Sequence, residues 1–110
     1  DIVEDVHRIL ETRARRSTRP FLTAYQILQQ LPSALRERLI RERRRAGKGS
    51  GVYYSAASVV SDSAEMIRGI DTATLDTSAI ELRCGGDRIE AGNKNVGLYR
   101  ILRDARQRGL

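Results

Sequence analysis

Tryptophan is absent from this 110-residue chain, and cysteine, methionine and histidine occur once each. The lone Cys84 has no partner for an internal disulfide, which points to a reducing, cytoplasmic setting. With His7 as the single histidine, the chain lacks the Cys/His sets that hold metals and the Ser/His/Asp sets that activate a nucleophile. Aromatic residues are few (Phe21, Tyr25, Tyr53, Tyr54 and Tyr99), so any core must be aliphatic. No uncharged apolar run approaches the roughly 18 residues of a membrane span, so no integral membrane protein is expected. The chain opens on Asp1 without a methionine, which is compatible with a trimmed start. Its length suits one domain.

Lysine is also scarce, although cations are not. Of 20 basic residues 18 are arginine, and the net charge is +6. Residues 1–48 carry 12 basic and 6 acidic residues, whereas residues 49–110 carry eight of each, so the whole excess lies in the first part. It is densest from Arg36 to Lys48, where seven cations meet only Glu37 and Glu42. Arginine presents a planar fork of donors that matches phosphate oxygens, and clustered cations gain affinity by displacing counterions from nucleic acid. A polyanion surface is therefore the first functional expectation.

Apolar spacing divides the chain. Ile2, Val3, Val6, Ile9 and Leu10 recur at helical intervals and predict an amphipathic helix over 2–13. Thr23 and Gln26 form a capping box ahead of Ala24, Ile27, Leu28 and Leu31, a second helix that Pro32 ends. Ser33 is placed to cap a third, from Ala34 to Ala46, with Leu35, Leu39 and Ala46 on one face and Arg38, Arg41, Arg44 and Arg45 on the other. Glu37 and Arg41 have the i,i+4 spacing of a favourable pair.

After the glycine-rich 47–51 loop, Ser55 caps a fourth helix from Ala56 to Arg68, closed by Gly69. Its apolar face collects Val59, Val60, Ala64, Met66 and Ile67; its polar face collects Ser58, Ser61, Asp62 and Glu65. Alternation at Ile80 and Leu82, the Cys84-Gly85-Gly86-Asp87 turn and the return through Ile89 predict a hairpin. A turn at 92–95 leads to a third strand over 96–102. The expected class is α+β, four helices followed by a small antiparallel sheet.

No residue pattern assembles catalytic chemistry, and neither enzymatic activity nor a cofactor is expected. The Gly47-Lys48-Gly49-Ser50-Gly51 stretch lacks the earlier glycine and the following Ser or Thr of a nucleotide-binding loop, and no strand precedes it. Asp71, Asp76, Asp87, Glu65, Glu81 and Glu90 are scattered without catalytic spacing.

Helices followed by a hairpin resemble the winged-helix DNA-binding domains. Phe21 to Leu28 resembles the opening helix of that family, Leu35 to Ile40 its second helix, Tyr54 to Val60 the start of its recognition helix, and Ile80 to Ile101 its wing. The resemblance implies base or phosphate contacts from Ser55, Ser58 and Ser61, and backbone contacts from Arg83, Arg88 and Lys94 of the wing. Because Asp62 and Glu65 outweigh Arg68 on the fourth helix, the phosphate contacts are expected mainly from Arg38, Arg41, Arg44, Arg45 and Lys48.

The chain then divides into residues 1–17, a helix for packing or for a homodimer seam along Ile2–Arg13, and residues 18–110, the winged-helix-like domain. The expected partner is duplex DNA, with RNA as the other polyanion, in transcription regulation. The competing expectation is an adaptor of a mobile element that binds protein and no nucleic acid.

Overall fold

The computed structural model describes residues 2–43, 54–89 and 95–102. Its first helix, α1 (Ile2–Arg16), begins with Glu4 and Asp5 and ends with Arg13, Arg15 and Arg16, the charge order that suits the helix dipole. It runs three residues past the expected end, and Arg13 closes the exit by donating from Nε to the Arg19 carbonyl, 2.9 Å. Val6, Ile9 and Leu10 are buried. The apolar stripe of this helix, expected either to pack or to form a dimer seam, faces α4 (Tyr54–Glu65) and β5 (Asn95–Ile101) of its own chain.

The segment read by resemblance as an opening helix starts as a strand instead. β1 (Leu22–Thr23) pairs antiparallel with β5, and only then does α2 (Ala24–Gln30) begin. The expected capping box is present: the Gln26 amide donates to Thr23 Oγ1, 3.1 Å, and the Thr23 amide donates to Gln26 Oε1, 2.8 Å. Ala24, Tyr25, Ile27 and Leu28 are buried beneath it. Pro32 separates α2 from α3 (Ser33–Arg43).

α4 starts at Tyr54, so Ser55 lies in its first turn rather than capping it. Ala56, Ala57, Val60 and Ala64 are buried, and Ser58, Asp62 and Glu65 are exposed, as the spacing predicts. Met66 departs from expectation at 75% exposure. The helix ends at Glu65 and tightens, with the Met66 amide donating to Ser63 O and the Ile67 amide to Ala64 O. At 100° per residue Met66 lies about 120° around the helix from Val60, at the margin of the apolar arc, and faces outward, while Ile67 stays buried. Gly69 then turns the chain with φ +84°, a region a side chain disfavours.

The sheet has the order β1-β5-β2, with β2 (Ile70–Asp76) paired to β5 from Ile70↔Ile101 to Asp76↔Asn95. β2 was not expected. Five of its seven residues are exposed, so it carries no apolar stripe and is held by its ladder. Gly97 is bare for a reason: a Cβ there would stand 2.6 Å from the Tyr99 hydroxyl, whose ring lies across it.

The predicted hairpin is a separate ribbon, β3 (Leu82–Cys84) with β4 (Asp87–Ile89). Gly85 and Gly86, at φ +60° and +85°, supply the two left-handed positions of a type I′ turn. Ile80 lies outside β3 and is half exposed, so the strand is shorter than expected. Among the described residues these elements make an α+β arrangement of four helices and small antiparallel sheets, with one core of helix and sheet residues.

Candidate nucleic-acid interface

α3 is weakly amphipathic, and its packing shows it. Among its described side chains Leu39 alone is buried, with Leu35 and Ile40 partly covered against the core. Arg36 points back to α2, where its Nη1 donates to the Gln29 carbonyl at 2.9 Å and satisfies one of the acceptors a helix end leaves open. Arg38 and Arg41 are exposed, and neither forms a salt bridge or a side-chain hydrogen bond among the described residues. The i,i+4 pair expected between Glu37 and Arg41 does not form a salt bridge.

Arg44, Arg45, Lys48 and the whole 47–51 loop lie outside the described residues, as does Lys94. On α4, Ser58 is exposed and Ser61 half-buried, beside the exposed carboxylates of Asp62 and Glu65; the Ser55 side chain lies outside the description. A phosphate approaching that serine face meets negative charge first.

Arg83 and Arg88 sit opposite each other across the ribbon, an unfavourable facing of like charges. Glu81 relieves it by reaching both, Oε2 to Arg83 Nε at 3.2 Å and Oε1 to Arg88 Nε at 3.7 Å. Arg83 also donates from Nη1 to the Gly86 carbonyl, 3.0 Å. The two wing cations expected to be free are therefore partly spent on their own ribbon. Nor does the ribbon stand away from the body: Cys84 and Ile89 are buried, and Gln29 Nε2 donates to Cys84 Sγ at 3.1 Å. Burial pushes the Cys84 thiol above its ordinary range, a shift that the Gln29 bond opposes only in part.

Gln29 is the junction. Its carbonyl is held by Arg36 of α3 and its amide by Cys84 of β3, so the arginine helix and the ribbon are fastened to the same end of α2. Gln29 carries no local sequence signal, since 55 positions separate it from Cys84. Glu81 was closer to legible: residues two apart on a strand share a face, and Glu81 precedes Arg83 by two. Arg15 and Arg16 at the end of α1 are exposed as well, outside the expected contact set.

Among the described residues no group of three or more His, Cys, Asp or Glu is gathered to hold a metal, and His7 faces Glu11 at 3.6 Å. No helix among them is long and apolar enough to cross a membrane. Compared with known proteins, the chain matches no family model, no curated protein and no solved structure.

Proposed function

We propose that this chain is a small DNA-binding regulator of winged-helix type that grips duplex phosphates through the exposed face of α3. The observation that carries the reading is Arg38 and Arg41, exposed and without a carboxylate partner among the described residues. In water an unpaired guanidinium is well solvated; beside a polyanion it releases condensed counterions, and that release drives association. Arg44, Arg45 and Lys48, next in sequence, extend the cationic run. Ribbon cations Arg83 and Arg88, fastened to the same end of α2, add a second and weaker contact because Glu81 already occupies them.

Support for the winged-helix reading comes from packing order. α1, α2 and α4 pack on one another, and the antiparallel pair of β2 and β5, with the β3–β4 ribbon between them in the chain, follows. In this reading α1 takes the place assigned from sequence to residues 21–28, and α3 is an addition between the second and third helices of the motif. The acidic exposed face of α4 makes base reading there weak, so binding is sequence-tolerant. The lone thiol fits a reducing, cytoplasmic setting. The same α4 face, with exposed Asp62 and Glu65 and the exposed Met66 just past its end, favours the second reading, an adaptor that docks a basic protein segment.

Fluorescence anisotropy with random-sequence duplex DNA, single-stranded DNA and RNA, at two salt concentrations, tests the proposal. Duplex binding should weaken steeply with salt, by about 0.9 in the log–log slope for each phosphate neutralised. Absent or salt-indifferent duplex binding overturns it in favour of the adaptor.

A further inference from the structure

β2 is the one long edge among the described strands. Its inner side pairs with β5 along all seven residues, and its outer side has no strand partner among the described residues. An open edge is a template for another strand, and proteins usually blunt it with lysine, proline, a bulge or brevity. The opposite edge, β1, is blunted by brevity: it is two residues long and buried. β2 uses none of these devices. It contains no Lys, Arg or Pro, its register with β5 is unbroken, and Thr72, Ala73, Thr74, Leu75 and Asp76 are exposed. Its two charges are already engaged, Asp71 by Arg100 at 2.7 Å and Asp76 by the Ser78 amide at 2.8 Å.

We infer that β2 is a self-association edge that pairs antiparallel with β2 of a second copy of this chain. One two-fold register engages the whole strand. Centred on Ala73, the two-fold pairing uses all seven residues and sets Ile70 against the second copy's Asp76, Asp71 against Leu75 and Thr72 against Thr74, so no two aspartates meet. A one-residue slip toward the C-terminus sets Asp71 against Asp76 and moves every side chain to the other face. Facing threonines suit a strand pair, both by β-branching and by their hydroxyls. A contact made by one strand per copy falls short of the roughly 1,600 Å² of a standard interface, so the dimer dissociates on dilution. The inference does not depend on nucleic-acid binding.

Light scattering after size exclusion, without nucleic acid and with loads from about 5 to about 500 μM, reads the mass directly. The mass should rise toward two chains with concentration. Thr72→Lys/Thr74→Lys, which sets lysine against lysine, should hold the chain monomeric throughout; Thr72→Lys/Thr74→Glu, which sets lysine against glutamate, should restore the dimer. Both threonines are exposed, and a circular dichroism melt of each variant confirms that it folds. A wild-type monomer at about 500 μM overturns self-pairing and leaves the edge to a strand from another protein. Equal behaviour of the two double variants overturns the register and with it the inference.

Discussion

α1 and α3 are both rich in arginine, yet they do opposite work. α1 buries Val6, Ile9 and Leu10, and two of its four arginines are held by the fold, Arg8 by Asp5 at 2.8 Å and Arg13 by the Arg19 carbonyl, while Arg15 and Arg16 are exposed. α3 buries Leu39 alone and leaves Arg38 and Arg41 unpaired among the described residues. Counting arginines does not separate the two. What separates them is whether the opposite face has a core to fill and whether a carboxylate or carbonyl stands within reach.

Stability is the first way to break this contrast. Leu10→Ala in α1 should cost about 2–5 kcal/mol, since a fully buried leucine leaves a cavity, whereas Leu35→Ala in α3 should cost about 1 kcal/mol or less. Urea denaturation of both variants checks it, and equal losses would remove the distinction between a core helix and a surface helix. Next in size is Arg36→Ala, the α3 arginine that is structural. Losing its bond to the Gln29 carbonyl should cost about 1 kcal/mol in the same assay, while Arg38→Ala should stay within about 0.5 kcal/mol.

How far the sequence carries these distinctions depends on whether burial or pairing fixes each element. α1, α2 and α4 are legible because each buries a stripe at helical spacing, and Thr23 with Gln26 marks the start of α2 with local bonds alone. The Gly85-Gly86 turn is legible for the same local reason. β2 leaves almost no apolar signal because its residues face solvent; the β-branched Thr72 and Thr74 were the available hint. β1 is set by a partner strand some 75 positions away, which no local pattern reports. Met66 departs from the expected face because it sits at the edge of the apolar arc, about 120° from Val60 at helical spacing.

The site divides in the same way. The exposed arginine face of α3 follows from spacing, whereas the partners that occupy Arg83, Arg88 and Arg36 come from turns and tertiary contacts.

Smaller effects sharpen the contrast at the ribbon. Cys84 keeps its proton to higher pH in the folded chain than in the unfolded one, where a thiol ionises near pH 8.5. Stability from this group is therefore complete below about pH 8.5 and declines as pH rises toward the folded value. Urea midpoints at pH 7 and pH 10 should fall less for Cys84→Ala than for the wild type; identical declines would mean that the thiol is not desolvated. Glu81→Ala should free Arg83 and Arg88 with little change in stability and raise duplex affinity by roughly 2- to 5-fold at low salt, a gain on the scale of surface ion pairs. An unchanged affinity would place the ribbon outside the contact surface.

The central claim is that the free charge of α3 makes the polyanion contact, and Arg38→Glu/Arg41→Glu tests it most directly in an anisotropy titration against duplex DNA across a salt series. Melting should stay near that of the wild type, affinity should fall at least about tenfold, and the log–log salt slope should shrink by about 2 as two phosphate contacts are lost. A folded double variant with wild-type affinity and slope would contradict the account.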